Sequence, residues 1–113
     1  MYSCYYNLTT KRVIIEELYY IGESGNVCNR VRNHERLDDW KNRLPKGQTL
    51  CFSFAPVAFE DRERVEAALI IRTQPPFNTE HKEQFAYNDT TINTNGDNIL
   101  LPKTAIVCHG ETF

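Results

Sequence analysis

Five polar residues stand at intervals that invite a chemical reading: Tyr20, Arg30, His34, Glu66 and Asn78. Arg30 comes ten positions after Tyr20, and His34 four after Arg30. Glu66 opens Glu-Ala-Ala-Leu-Ile, and Asn78, twelve residues later, closes Pro-Pro-Phe-Asn. A carboxylate can hold a divalent metal, a guanidinium can bind phosphate, and a phenol or imidazole can move a proton. Together these are the requirements of metal-assisted phosphodiester cleavage.

The elements that must position them can be read from pattern. Val13-Ile14-Ile15 and Leu18 to Ile21 are rich in β-branched and aromatic residues, as strands are, until Gly22 and Gly25 break the run. Tyr2 to Tyr6 reads as the preceding strand, with Asn7 to Arg12 as the connection. Asn26 can cap a helix whose buried side is marked by Val27, Val31 and Leu37, continuing to Trp40 and Leu44. Pro45 and Gly47 stop it. Leu50, Phe52 and Phe54 alternate with smaller residues in the manner of a half-buried strand.

Asp61 is a good cap for a second helix from about Arg62 to Arg72. Val65, Ala68, Leu69 and Arg72 share one face of it, widened by Ile70 and Ile71. Glu66 lies on a neighbouring face. Pro75-Pro76 forces extended chain. Asn95-Gly96 is a turn signal, and Ile99 to Leu101 and Thr104 to Val107 read as short strands. The order predicts an α+β fold with a small, three-stranded antiparallel sheet flanked by helices.

The 113 residues suffice for one domain with one core. No apolar run approaches the roughly 20 residues of a membrane span. No basic region followed by a hydrophobic stretch opens the chain, so the expected compartment is the cytoplasm. Cysteines at 4, 28, 51 and 108 form no Cys-x-x-Cys pair, which argues against a zinc ribbon, and they read as reduced thiols. The net charge of −2 argues against nucleic acid, but its distribution does not. Between Arg30 and Lys46 six Lys and Arg stand against three acids. Arg30, Arg32, Lys41, Arg43 and Lys46 are therefore the candidate contacts to a phosphate backbone.

Tyr20-Ile21-Gly22, Arg30, His34, Glu66 with its apolar run, and Asn78 after the prolines resemble, in order and spacing, the GIY-YIG nuclease family. The resemblance covers about residues 2 to 80. It implies a divalent-metal-dependent DNA endonuclease in which Glu66 holds Mg²⁺ or Mn²⁺. Arg30 then offsets charge on the phosphate, Tyr20 contacts the attacking water, His34 assists proton transfer, and Asn78 positions the loop.

The family's Gly-Ile-Tyr triplet is not present. Ser3-Cys4-Tyr5 and Cys4-Tyr5-Tyr6 both stand in for it, each farther from Tyr20 than is usual. Alternation lets only one of Tyr5 and Tyr6 enter a cleft. Tyr6 is nearer the usual spacing and is the expected first-motif tyrosine.

A rival reading is a nuclease-derived module that binds nucleic acid or protein without cutting. The degenerate first triplet and acidic net charge favour it. The intact Tyr20, Arg30, Glu66 and Asn78 oppose it. With no separate DNA-reading domain in 113 residues, the chain recognises DNA alone, dimerises, or is brought to its target by a partner. Residues 81 to 113 fall outside the motifs.

Overall fold

Tyr2–Asn7 (β1) and Arg12–Leu18 (β2) form an antiparallel hairpin. Its turn is closed by Asn7, whose Oδ1 accepts hydrogen bonds from the Thr9 and Thr10 amides at 2.9 and 3.1 Å. This is the local bond that favours Asn at turns. The register slips between Ser3 and Cys4, where Ser3 faces Glu17 and Cys4 faces Ile15. One extra residue on β2 makes a bulge there. Thr49–Cys51 (β3) pairs with the other edge of β1, giving the order β2-β1-β3. The computed structural model describes residues 1–96 and 100–113.

The expected α+β architecture with a three-stranded antiparallel sheet is present. Several expectations of detail need correction. β2 ends at Leu18, so Tyr19 to Ile21 is extended chain beyond the strand. The single helix expected after Asn26 is two short ones, Val27–Arg32 (α1) and Leu37–Arg43 (α2), separated by residues 33–36. Asn26 does cap α1, accepting from the Asn29 amide at 3.1 Å. β3 covers only three residues, leaving Phe52 and Phe54 exposed beyond it.

The second expected helix is Arg62–Thr73 (α3), preceded by a short 3₁₀ turn. Asp61 stands at its N-cap, but the carboxylate binds the Arg64 guanidinium at 2.8 Å instead of a backbone amide. Gln74 closes the helix in the left-handed conformation, and Pro75 follows.

The buried face of α3 is rotated from the expected one. Ala67, Ala68 and Ile71 are buried with Phe85 and Val107, and Tyr87 and Ile92 pack against this cluster. The C-terminal segment therefore supplies the partner surface for α3, through Thr90–Asn93 (β4) and Thr104–Val107 (β5), which pair antiparallel. β5 was legible in the sequence and β4 was not. Of the strand expected at Ile99 to Leu101, Ile99 lies outside the described residues, and Leu100 and Leu101 are not in a strand. Arg72, expected on the buried face, is exposed and pairs with Glu111. Fixing the roll of α3 in this way turns Glu66 and Ile70 towards one cleft.

Cys4 and Cys51 form a disulfide, which corrects the expectation of four reduced thiols. Cys28 and Cys108 are free. The reason lies in the sheet. Cys4 pairs with Thr49 and Cys51 with Tyr2, so the two cysteines are diagonal neighbours on adjacent strands, with Cα atoms 6.3 Å apart. Among the described residues no helix is long and apolar enough to cross a membrane.

Candidate active site

The extended stretch Tyr19 to Ile21 is gripped from two sides. The Met1 carbonyl accepts from the Tyr19 and Tyr20 amides at 2.9 and 3.3 Å. The Phe77 amide donates to the Tyr19 carbonyl at 2.9 Å. Asn78 completes the hold: the Ile21 amide donates to its Oδ1 at 2.9 Å, and its Nδ2 donates to the Ile21 carbonyl at 2.9 Å. Asn78 is buried, so both ends of its carboxamide are satisfied by one residue's backbone.

An aromatic cluster sets the Tyr20 ring. Trp40, almost wholly buried on α2, lies 4.6 Å from Tyr20, 4.5 Å from His34 and 5.7 Å from Phe77, ring centre to ring centre. His34 meets the Tyr20 ring edge-on at 5.6 Å. Gly22 is required by this packing. A Cβ there would stand 2.8 Å from Cε1 of Tyr20, inside any normal carbon contact.

Tyr20, Arg30, His34, Glu66 and Asn78 all line one cleft of about 400 Å³, together with Glu35, Arg36, Ile70 and the loop from Thr79 to His81. Tyr20, Arg30, His34 and Glu66 also border a larger adjoining cavity of about 560 Å³. Residues from four separate stretches of sequence are thus brought together.

Electrostatics differ from residue to residue. Burial pushes the Glu66 carboxyl up to about 7, and the negative charges of Glu23, Glu80 and Glu63 add to this. The Glu23 backbone N–H opposes the shift without cancelling it. His81 Nε2 lies 3.7 Å from Glu66 Oε1, beyond ordinary hydrogen-bond reach. Burial raises the Tyr20 phenol above its usual range, Glu66 raises it further, and Arg30 and Arg36 pull it back. Burial lowers His34 below the usual imidazole value, and the Arg30 charge lowers it further. The His34 ring is therefore neutral near pH 7. Its Nδ1 accepts from the Arg36 amide at 3.2 Å, so the proton sits on Nε2, a buried donor with no partner among the described residues. Arg30 is half-exposed and pairs with the exposed Glu35 at 3.3 Å, a weak pair that a phosphate can displace.

Tyr6 does not reach this site. It is exposed and pairs with Val13, towards the turn end of the hairpin. Tyr20 lies beside Met1, and five residues of strand at roughly 3.3 Å each put Tyr6 about 16 Å along β1 from there. Tyr5 is displaced in the same direction. The β1 tyrosine that borders the larger cavity is Tyr2, whose hydroxyl accepts from Ser53 Oγ at 3.1 Å. Arg32, Lys41, Arg43 and Lys46 line neither cavity and stand exposed on α1, α2 and the turn after it. The Arg43 guanidinium covers the Phe77 ring at 4.6 Å.

Sequence reasoning missed Arg36, Glu23, Glu80 and His81. Arg36 follows His34 by two, a spacing that leaves a continuous helix face. It joins the site because residues 33–36 break the helix. Nothing in the pattern marks His81, whose left-handed backbone (φ 62°) turns the chain back towards Glu66. Among the described residues no three His, Cys, Asp or Glu side chains gather as a metal cluster. Compared with family models, with curated proteins and with solved structures, the chain matches none.

Proposed function

We propose that the protein is a divalent-metal-dependent DNA endonuclease of the GIY-YIG type, hydrolysing phosphodiester bonds in the cleft around Tyr20. The observation that carries this is the convergence of Tyr20, Arg30, Glu66 and Asn78 on one cleft although they are far apart in sequence. A half-buried carboxylate among other carboxylates, its pKa pushed up to about 7, is a site that gains from a cation. One carboxylate with waters and phosphate oxygens suits Mg²⁺ or Mn²⁺. Glu66 would hold that ion, which when bound supplies positive charge against the phosphate oxygens.

The chain's own groups account for the rest. The Arg30 guanidinium faces the phosphate and offsets the charge that grows as water attacks phosphorus and the 3′ oxygen leaves, the proton lost by the water ending on that departing oxygen. The Tyr20 hydroxyl, raised in pKa, keeps its proton and orients the attacking water by accepting a hydrogen bond from it. His34, whose Nε2 is buried, braces the Tyr20 ring edge-on instead of donating into the cleft. Asn78 moves no proton. It keeps the Tyr20 backbone at the cleft wall through Ile21.

A second reading is a module that binds nucleic acid without cutting it. What favours it is the place of Tyr6, outside the cleft. One experiment separates the two. The protein is incubated with supercoiled, linear and branched DNA in Mg²⁺, Mn²⁺ and EDTA, with binding measured in Ca²⁺. Divalent-dependent cleavage supports the endonuclease. Binding without cleavage on any substrate supports the inactive module.

A further inference from the structure

The cavity of about 560 Å³ beside the catalytic cleft is mostly apolar, and no step above uses it. It falls within the roughly 300–1,000 Å³ of sites that take small organic groups. Its walls combine two features. Phe52 and Phe54 offer flat aromatic rings and are more than a third exposed although large and apolar. Arg30 and Arg62 offer guanidinium groups. Arg62 is held in place: its Nε donates to the Val57 carbonyl at 3.2 Å and its guanidinium lies over the Phe59 ring at 5.5 Å. Its Nη1 lies 3.5 Å from where a Cβ on Gly25 would stand, in the loop between Tyr20 and α1.

Flat apolar faces beside guanidinium groups suit a nucleotide, with its planar base and charged phosphate. Continuity with the cleft selects the same ligand. Tyr20, Arg30, His34 and Glu66 border both spaces, so a strand with its phosphate at Arg30 would carry the adjacent base towards Phe52 and Phe54. We propose that this cavity binds an unstacked base next to the scissile phosphate. The preferred substrate is then DNA with an unpaired nucleotide at the cut, such as a single strand, a flap or a mismatch, because a base inside a duplex cannot enter.

This inference rests on the endonuclease reading, and the test keeps the two apart. Cleavage of a flap, a single strand and a fully paired duplex of the same sequence is measured in Mn²⁺ for wild type and for the Phe52→Leu, Phe54→Leu double variant. Circular dichroism is recorded on each. The expected result is a preference for the unpaired substrates of at least about tenfold, falling towards one in the variant, the size that losing a stacked base gives. Equal cleavage of duplex and flap by wild type, or a preference unchanged in the folded variant, overturns the base site and leaves the endonuclease standing. If nothing is cut, the endonuclease reading fails. The site is then tested by quenching of 2-aminopurine in single-stranded DNA in EDTA. Quenching that the variant loses sustains the base site, and its absence in wild type overturns it.

Discussion

The carboxamide of Asn78 pairs with both backbone groups of Ile21, accepting from its amide and donating to its carbonyl, each at 2.9 Å. Fifty-seven residues apart in sequence, these two fix the depth at which Tyr20 stands in the cleft. Asn78→Asp keeps the shape but replaces a donor with an oxygen facing an oxygen. Leaving the Ile21 carbonyl unpaired in a half-buried place costs about 1–3 kcal/mol. The expected outcome is that loss in urea unfolding, together with a fall in cleavage. A variant as stable and as active as wild type would mean that the pairing positions nothing.

Gly22 gives a second test of how Tyr20 is placed. Gly22→Ala puts a methyl group 2.8 Å from Cε1 of a ring already packed against Trp40 and His34. The ring cannot keep its place, so cleavage should fall at least tenfold while the far-ultraviolet circular dichroism stays unchanged. Restored activity in Gly22→Ala, Trp40→Leu, where the ring has room to retreat, would identify crowding as the cause. An active single variant would remove Tyr20's ring position from the argument.

Some of this was open to reading in the sequence and some was not, for physical reasons. Local signals were good: Asn26 caps, the β-branched run pairs, and α3 runs where its periodicity places it. Which side of α3 is buried depends on what packs there. The Phe85 and Val107 core draws in Ala67, Ala68 and Ile71, leaving Val65 and Leu69 at the cavity wall. Tyr6 was misplaced because spacing counted along the chain ignores the bulge at Ser3 and Cys4 and the length of the hairpin. The Cys4–Cys51 bond depends on β3 joining the free edge of β1, a pairing across 47 residues that local pattern does not encode.

That bond makes a stability prediction. Closing a loop of 47 residues removes unfolded-chain entropy worth about 4 kcal/mol in the simple chain-entropy account. Addition of dithiothreitol, or Cys4→Ser with Cys51→Ser, should therefore lower the melting temperature by many degrees. The Cys28→Ser, Cys108→Ser variant should melt as wild type does, because both thiols are free and exposed. Mass spectrometry of the alkylated protein reports the bond directly. A melting temperature indifferent to reductant would show that the link adds nothing to the sheet.

The charge on Glu66 sets the last prediction. Its folded value is about 7 against an ordinary 4.5, so the folded state holds this proton more tightly than the unfolded chain does. Between those two values the folded protein binds more protons, and stability falls as pH rises. Below 4.5 the contribution is absent as a slope, and above about 7 the cost of the buried charge is complete. Glu66→Gln removes the charge and its slope. Without divalent ions the variant should melt above wild type at pH 8 and show less of the decline between pH 4.5 and 7, while cutting no DNA. Mg²⁺ or Mn²⁺ should raise the melting temperature of wild type more at pH 8 than at pH 5.5, since binding needs the ionised carboxylate. The variant should not respond. Equal stabilisation of both proteins by the ion would move the metal away from Glu66, and a wild-type profile that Gln leaves unaltered would mean that the carboxylate carries no such strain.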